Sequence, residues 1–319
     1  MRLCRLFMIA ASVLSLGGAE AQATWRIGDP IVTFWAGPGY DGSVPLTDAS
    51  AKQMVDVGMN LAWASSAAEL DVAQRHGLRA KYQDRAIISP ESLTDPVRRL
   101  KLDALVDSIR TKPALYAYHI VDEPSATEFG RFSPLVDYLR ERDPEHVARI
   151  NLHPIGPSAT TLGAPDYNTY LKQFVSTVQP SLLSYDHYQF TTTGDEGGYL
   201  LNLEVVSQEA KSAGVPFMNI VQAAGWEGMR IPTDNQMRFL AYTTLAYGAQ
   251  GICYYVWSWP EHVGGIVDSH GTPNYKTLKS TNQEFVAIAE QYQSLKSIGA
   301  YLKPTFRTSR SRYLTNFEV

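Results

Sequence analysis

The chain has 319 residues, of which 45% are hydrophobic and 19% charged, with a formal net charge of −4 at pH 7. This composition is that of an ordinary globular protein with enough apolar residues for a sizeable core, and it excludes a disordered chain. No block of basic residues indicates a nucleic-acid-binding surface or a patch for anionic membranes, so we expect neither partner.

The first 23 residues have the pattern of a secretory signal peptide. Arg2 and Arg5 precede an apolar run at 6–16, and small residues at 19–23 fit a cleavage site. The apolar run is too short to span a bilayer stably. We therefore expect an exported protein, secreted or periplasmic, with no membrane contact after cleavage of the signal. Its one remaining thiol, Cys253, lies in an apolar strand-like segment and is expected to be inert packing.

Eight strand-like segments alternate with eight helix-like segments along residues 24–302. The predicted strands are 31–36, 59–64, 78–83, 115–121, 148–153, 182–190, 216–222 and 251–259. The predicted helices are 47–58, with Thr47 as N-cap, then 66–77, 96–112, 128–142, 166–179, 199–214, 233–248 and 275–298.

This alternation predicts the α/β class and, within it, a (β/α)8 TIM barrel spanning residues 24–302. A doubly wound open sheet normally has a glycine-rich first turn, and the spacing after the first strand does not match it. Residues 303–319 alternate like a strand. They are predicted to begin a C-terminal β extension, which the sequence leaves incomplete, as in a short or truncated chain.

The fourth strand ends in two adjacent acids and a proline. Pro124 has no backbone N–H, so the chain is expected to leave the sheet directly after Asp122 and Glu123. In a (β/α)8 barrel the C-terminal ends of the strands form the active-site face. A carboxylate fixed there suits general acid catalysis, whereas a purely structural interpretation makes one of these acids a helix cap.

The other strand ends carry acids, amides, imidazoles and large aromatic rings, which we expect to meet in one pocket. Flat aromatic rings pack against the C–H faces of sugars, while acids and amides bind hydroxyls, so this mixture predicts an oligosaccharide or polysaccharide substrate. The predicted sugar-binding residues are Trp35, Trp63, Asn151, His153, His187, Tyr188, Gln222, Trp226, Glu227, Trp257 and Trp259, and Glu261 lies at the same rim.

The histidines do not have the spacing of a metal site. His119 is four residues before Glu123, deeper on the same strand face, and is predicted to be a core residue. His153 and His187 lie nearer the rim. His187, Asp186 and Glu123 are metal-binding residue types, but no HxH or HExxH pattern accompanies them, so we predict neither a metal nor another cofactor.

Three segments resemble known sugar-cleaving barrels. The sequence Asp122-Glu123-Pro124 at the end of strand four resembles the clan A glycoside hydrolases. Residues 240–257, which lead into and through strand eight, and residues 271–275 with the following helix are similar to barrels related to family 42 β-galactosidases. The resemblance implies that Glu123 is the catalytic acid/base.

The end of strand seven departs from that family pattern. Retaining clan A enzymes have a glutamate nucleophile there, whereas this chain has Gln222. Asp186, at the end of strand six, or Glu227, in the loop beyond strand seven, are two alternative second carboxylates. The third alternative is that Asp122 orients a substrate group that attacks its own anomeric carbon, as in substrate-assisted hexosaminidases. We favour Asp186, because a strand holds a side chain more firmly than a loop does.

The leading hypothesis is therefore an exported glycoside hydrolase with Glu123 as general acid and Asp186 as its partner. Asp122 is expected to favour the protonated form of Glu123. The second hypothesis is a carbohydrate-binding barrel that has lost hydrolysis, as Gln222 suggests. A polysaccharide lyase is disfavoured, because few basic residues lie near the strand ends.

Overall fold

The computed structural model describes residues 30–292 and residue 295. The predicted signal peptide at 1–23 and the predicted extension at 303–319 lie outside the described residues. The barrel strands are β1 (Ile31–Trp35), β2 (Leu61–Ala64), β3 (Arg79–Tyr82), β4 (Leu115–Asp122), β5 (Val147–Asn151), β6 (Leu183–His187), β7 (Phe217–Gln222) and β8 (Gly251–Tyr255). The barrel helices are α1 (Asp48–Asp56), α2 (Ala67–Arg75), α3 (Pro96–Ile109), α4 (Phe129–Arg142), α5 (Tyr167–Val178), α6 (Tyr199–Ala213), α7 (Asp234–Ala246) and α8 (Leu278–Tyr292).

The strands form two parallel four-stranded sheets, in the orders β1-β8-β7-β6 and β2-β3-β4-β5. Two seams join them. Between β1 and β2, Asn60 N–H donates to the Val32 carbonyl at 3.0 Å. Between β5 and β6, Leu152 N–H donates to the Ser184 carbonyl at 2.8 Å, and Leu152 forms a parallel bridge with Tyr185. The predicted (β/α)8 architecture is confirmed.

Polar side chains at the starts of the helices explain where several of them begin. Thr47 caps α1 in a capping box with Ser50, as predicted, and Thr233 caps α7 with Gln236. Asp95 caps α3, which has Pro96 in its first turn. These side chains accept hydrogen bonds from N–H groups that have no partner within the helix, so each one fixes where its βα loop ends.

Two short antiparallel strand pairs, the rim pairs, lie at the C-terminal rim, and the sequence did not predict them. Phe190–Thr191 and Gly194–Asp195 form a hairpin, whereas Ala224–Gly225 after β7 pairs with Val263–Gly264 after β8. The predicted strands 182–190 and 251–259 are too long, because β6 and β8 end at His187 and Tyr255. Both rim pairs add structure on the face where a barrel carries its active site.

The barrel interior contains cations packed on aromatic rings. The Lys81 ammonium lies 3.9 Å from the ring centroid of Trp63, and the Arg149 guanidinium lies 5.1 Å from that of Trp35. The His119 ring packs edge-to-face on both indoles, at 5.3 and 5.2 Å. Burial lowers the pKa of Lys81 to about 7, and the nearby Arg149 charge acts in the same direction. Among the described residues neither cation forms an ion pair.

Across the described part of the chain, no helix combines the length and the apolar character needed to cross a membrane.

Candidate active site

Three carboxyl groups meet at the C-terminal rim, two from the end of β4 and one from β6. Asp122 is the last residue of β4 and is open to solvent. Glu123 follows with a left-handed φ of +47°, while its N–H still donates to the Asn151 carbonyl at 2.9 Å. Such a φ is strained for a residue with a side chain, by about 1–3 kcal/mol. Strain of this kind is common at functional sites, where the surrounding structure holds the side chain in place.

Asp186 lies buried beside Glu123. Burial raises the pKa of Asp186 well above the ordinary value. The charges of Glu123 and Asp122 and an interaction with the Glu123 side chain raise it further, and a hydrogen bond from Asn151 only partly offsets them. The protonated form of Asp186 is therefore favoured, with Asp186 inside the barrel and Glu123 at its surface.

Asp122 is the third member of the acid cluster. Its pKa is raised, first by the protein that surrounds it in the recess and then by the Glu123 charge. A hydrogen bond from Asn151 and the positive charges of Arg149 and Arg85 act in the opposite direction. Asp122 therefore lies beside Glu123 and Asp186 and is coupled to both by charge, and its effect on Glu123 stays a prediction.

Asn151 links the acids across the seam between the two sheets. Its side-chain nitrogen donates to Asp122 at 3.0 Å and to Asp186 at 2.9 Å. Its oxygen accepts a bond of 2.9 Å from the Ser184 hydroxyl, which in turn accepts one of 2.8 Å from Arg149. The Asn151 amide is thereby fixed in the orientation that presents its donors to the carboxylates. This residue was predicted to contact substrate, whereas its donors are already used by the acids.

Arg149 also lies against His119, with 3.1 Å between Nη1 and Nδ1. Because arginine is always a donor, Nδ1 accepts and His119 is neutral, in agreement with a pKa that burial and the Arg149 charge hold well below its usual range. His119 is almost wholly buried, as expected for a core residue. Its Nε2 has no hydrogen-bond partner within the described residues.

His153 and Tyr170 support the loop that carries Glu123. His153 Nδ1 lies 3.4 Å from Glu123 Oε2. The Tyr170 hydroxyl, from α5, donates to the Pro124 carbonyl at 2.9 Å and accepts from His153 N–H at 3.4 Å. One phenol therefore fixes the chain after both β4 and β5. The sequence predicted His153 at this site but gave no signal for Tyr170, which lies in the middle of a helix.

A cluster of aromatic rings forms the opposite wall, contributed by the chain after β6, β7 and β8. Trp226 contacts Tyr188, Tyr255 and His262, with ring centroids 5.1, 5.2 and 5.3 Å apart. Tyr188 and Tyr255 contact one another at 5.0 Å. Both tyrosines have pKa values raised by burial and further by Asp122 and Asp186, so the cluster lies near the acids. The sequence predicted Tyr188 and Trp226 here but missed Tyr255 and His262.

Three predicted sugar-contacting tryptophans lie below the surface of the site. Trp63 has no exposed surface, and its indole N–H donates to the Phe34 carbonyl at 2.8 Å. Trp257 is 2% exposed and packs on Phe34 at 5.0 Å. Trp35 is 6% exposed between Trp63 and the guanidinium of Arg149. For Trp63 and Trp257 the prediction of a direct sugar contact is wrong in this structure, because both faces of each ring are covered by protein.

No hydrogen bond among the described residues joins Gln222 or Glu227 to Glu123 or Asp186. Gln222 is wholly buried, where its oxygen accepts from Phe190 N–H and its nitrogen donates to the carbonyls of Phe190, Ala224 and Arg230. Its amide connects the two rim pairs. Glu227 is exposed in the loop, and no interaction joins it to Glu123 or Asp186.

His187 turns away from the acids toward α6. Its Nδ1 lies 2.9 Å from Asn202 Oδ1, and its ring packs on Tyr199 at 5.7 Å. Burial lowers the pKa of His187, so the ring is neutral near pH 7. The predicted hydroxyl contact is therefore not formed by the side chain in this position.

Trp259 lies between two cavities at the C-terminal rim, and none of the three acids lines either of them. A cavity of about 720 Å³ lies between the loops after β1 and β8, and one of about 600 Å³ lies over the loops after β1, β2 and β3. Trp259 and Asp41 line both. The second cavity also contains Tyr40, whose hydroxyl accepts a bond of 2.9 Å from Arg85. The Asp122 charge contributes to the raised pKa of Tyr40, which indicates that Tyr40 and its partner Arg85 lie near Asp122. The sequence predicted neither residue.

Within residues 30–292 and at 295, no group of three or more His, Cys, Asp and Glu side chains is arranged to hold a metal ion. The acid cluster consists of three carboxyls and an amide that bonds to two of them, and carboxyls in such a cluster can transfer protons.

No family model matches the sequence, and no curated protein does. Solved structures do match the fold. An endoglucanase structure matches with a TM-score of 0.53 at 13% identity, covering 80% of this chain and 96% of the other. The GH99 endo-α-mannosidase from Bacteroides thetaiotaomicron matches with a TM-score of 0.53 at 13% identity, covering 78% and 80%. A protein from the same organism, provisionally assigned as an α-L-fucosidase, matches with a TM-score of 0.54 at 9% identity, covering 83% and 97%. The chain therefore shares its (β/α)8 fold with these glycoside hydrolases, and the matches do not single out family 42.

Proposed function

We propose that this protein is an exported glycoside hydrolase that cleaves O-glycosidic bonds of an oligosaccharide or polysaccharide, with Glu123 as the general acid. The observation that carries the proposal is that partly exposed Glu123 and buried Asp186 meet at the C-terminal rim of the barrel, where burial raises the pKa of Asp186. A buried acid that holds a proton beside an exposed carboxyl can supply the proton that a glycosidic oxygen takes. The fold shared with glycoside hydrolases supports the same conclusion.

The two carboxyls have different roles in this proposal. Glu123 is 36% exposed at its side chain and faces the recess, so it delivers the proton to the leaving oxygen. Asp186 is buried behind it and, because burial raises its pKa, holds the proton that Glu123 passes on. Asp122 and His153 flank Glu123, and Asn151 holds the acids in register.

The aromatic wall and the two cavities support a carbohydrate as the substrate. Tyr188 and Trp226 present partly exposed rings on the wall, and Trp259 divides the cavities of about 720 and 600 Å³. Cavities of that size are typical of small-molecule sites. We propose these three rings, rather than Trp63 and Trp257, as the surfaces that pack on sugar rings.

The test is hydrolysis of an oligosaccharide and aryl-glycoside panel by the wild-type protein and by Glu123→Gln. The variant keeps the side-chain shape but cannot donate an acidic proton, and we expect kcat/KM to fall about 10²–10⁴-fold. Glu290→Gln, at an exposed position on α8, is the matched control and should keep full activity. Full activity in the Glu123 variant would contradict the proposal.

A second candidate function is carbohydrate binding without hydrolysis. It is favoured by one observation: the amide of Gln222, at the position where the family resemblance expects a nucleophile, is used up by four hydrogen bonds to rim backbone. Glycan binding in a calorimeter, with no turnover of any panel member by the wild-type protein, would establish this function instead.

A further inference from the structure

The burial of Asp186 leaves the attacking group of the proposed hydrolysis unassigned. A retaining glycosidase needs a carboxylate that attacks the anomeric carbon, and an inverting one needs a carboxylate that activates water, in each case across the sugar from the acid. Asp186 is 6% exposed, and its Oδ1 already accepts a hydrogen bond of 2.9 Å from Asn151. Burial also raises its pKa, which disfavours the carboxylate that either role requires. Another group must therefore attack the anomeric carbon or activate water.

Tyr255 lies where such a group is needed. It pairs with Gln222 in the register between β8 and β7, so its backbone is level with the residue that replaces the expected nucleophile. Side chains alternate along β8, so Tyr255 lies on the same face of the strand as Cys253. Cys253 lies beside the interior cations Lys81 and Arg149. Tyr254 instead bonds to Asn282 on the outer helix α8. Tyr255 is partly exposed, and the charges of Asp122, Asp186 and Glu123 all act on it.

A base is in contact with the Tyr255 hydroxyl. His262 Nε2 lies 3.1 Å from it, within the range for proton transfer. Burial lowers the pKa of His262, so the ring is neutral near pH 7 and accepts a hydrogen bond. Trp226 lies against the His262 ring with an interplanar angle of 32° and holds it beside the tyrosine. A nucleophile and a base in hydrogen-bond contact are the two parts of an activated nucleophile.

We infer that Tyr255 is the nucleophile of the proposed glycoside hydrolysis and that His262 is its base. The inference rests on the proposed function. Tyrosine serves as the nucleophile in sialidases, so the chemistry is available to a phenol. The raised pKa of Tyr255 keeps it a neutral hydroxyl until the base takes its proton during attack. The three nearby carboxyls favour the positive charge that develops on the sugar ring.

The steps balance as a retaining hydrolysis. Tyr255 Oη forms a bond to the anomeric carbon while the bond from that carbon to the leaving oxygen breaks. The leaving oxygen takes the proton held by Glu123, and the phenol proton passes to His262 Nε2. In the second step, water gives a proton to Glu123 and attacks the anomeric carbon. The carbon–Oη bond then breaks, and Tyr255 recovers its proton from His262.

The experiment begins with the wild-type protein, so it does not depend on the folding of a variant. The anomeric form of the first product is followed by proton NMR with the aryl glycoside that is hydrolysed fastest. The 2-deoxy-2-fluoro glycosyl fluoride of the same sugar is then used to trap the intermediate, and the labelled peptide is identified by mass spectrometry. We expect retention and a label on Tyr255.

Variants give a second readout. Tyr255→Phe removes the hydroxyl and should lower kcat/KM on the order of 10³-fold. His262→Gln removes the base and should lower it about 10²–10⁴-fold with retention preserved. Tyr254→Phe is the matched control, because its ring faces α8, and its activity should stay within twofold of wild type.

The outcomes separate the inference from the proposed function. Inversion, a label on Asp186 or any other residue, or a Tyr255→Phe variant within tenfold of wild type would overturn the tyrosine nucleophile and leave glycoside hydrolysis standing. Absence of turnover by the wild-type protein on the whole panel would overturn the proposed function, and this inference with it.

Discussion

At the scale of single residues, the site depends on how Asp186 is surrounded. Its carboxyl is buried between Glu123 and the Asn151 amide, and its pKa is raised, first of all by burial. A carboxyl of this kind binds a proton more tightly in the folded protein than in the unfolded chain. Its contribution to the free energy of unfolding is therefore largest at low pH and is lost as the pH rises above about 3.9 toward the folded-state pKa. Function and stability make opposite demands on this residue.

We predict that Asp186→Asn stabilises the protein at neutral pH while abolishing most activity. The amide keeps an oxygen for the Asn151 bond but carries no charge, so the cost of ionising a buried carboxyl disappears. The free energy of unfolding, from urea denaturation, should rise by about 1–2 kcal/mol at pH 8. Near pH 3 the gain should vanish, because the wild-type carboxyl is then protonated in both states. An equal gain at both pH values would contradict this explanation.

At the scale of elements, the rim is held by side chains that bond to loop backbone. Tyr170 from α5 contacts the loops after β4 and β5, and Gln222 at the end of β7 contacts both rim pairs. Each side chain satisfies buried backbone groups that would otherwise have lost their water. The loops that carry the acids and the aromatic wall therefore depend on two residues that take no part in proton transfer.

We predict that Tyr170→Phe lowers activity because it releases Pro124 and, through it, Glu123. Loss of the hydroxyl leaves a buried carbonyl without a donor, which costs about 1–3 kcal/mol in the free energy of unfolding. Glu123 then samples more positions, and kcat should fall more than KM rises. The control is Tyr167→Phe, which stacks on Tyr170 at 6.0 Å but bonds to Asn202. Equal kcat values for the two variants would rule out a positioning role for the Tyr170 hydroxyl.

We predict that Gln222→Glu does not create a working nucleophile but weakens the fold. The glutamate would place a carboxylate oxygen against the carbonyls of Phe190, Ala224 and Arg230, where an N–H donor is needed. Burying an unsatisfied charge should lower the free energy of unfolding by several kcal/mol or force the side chain to bind a proton. Urea denaturation checks this, with Gln173→Glu on the exposed surface of α5 as a control expected to change by less than about 0.5 kcal/mol. An unchanged midpoint for the Gln222 variant would contradict the prediction.

At the scale of the whole molecule, the barrel has a positively charged interior beneath an acidic rim. Lys81 and Arg149 lie inside it against Trp63 and Trp35, and a chain of hydrogen bonds runs from Arg149 through Ser184 to the amide that holds the acids. The same interior contains Cys253, which is wholly buried. Burial raises the pKa of its thiol, which makes the thiolate scarce as well as inaccessible.

We predict that Cys253 reacts with a thiol reagent only when the barrel opens. In a Cys4→Ser variant, whose one thiol is Cys253, the labelling rate in native buffer should be at least 10³-fold slower than that of a free peptide thiol. The rate should rise in urea in parallel with global unfolding, as followed by mass spectrometry of the labelled protein. Fast labelling in native buffer would show that the interior is open to solvent.

The order of the strands and the position of the acids at a strand end can be predicted from the sequence. The direction in which side chains point at the rim cannot. Periodicity and the break at Pro124 are local signals, so they locate strand ends such as Glu123 well. Trp63 and Trp257 also lie near strand ends, yet their rings are covered, because which face a ring takes depends on packing from distant elements. Tyr255 was not predicted as a site residue, because a strand that reaches 259 places the rim at Trp257 and Trp259 instead. The rim pairs were not predicted, because strands of two residues have no periodic pattern.

The seam between β5 and β6 divides the proposed proton donor from its partner. Glu123 and Asn151 belong to one sheet, Ser184 and Asp186 to the other, and few backbone bonds cross the line between them. If the chain were cut between these strands, Glu123 and Asp186 would lie on different fragments, and the proposed activity would require both fragments to associate. Heating that separates β5 from β6 should likewise abolish the proposed activity before the helices unfold.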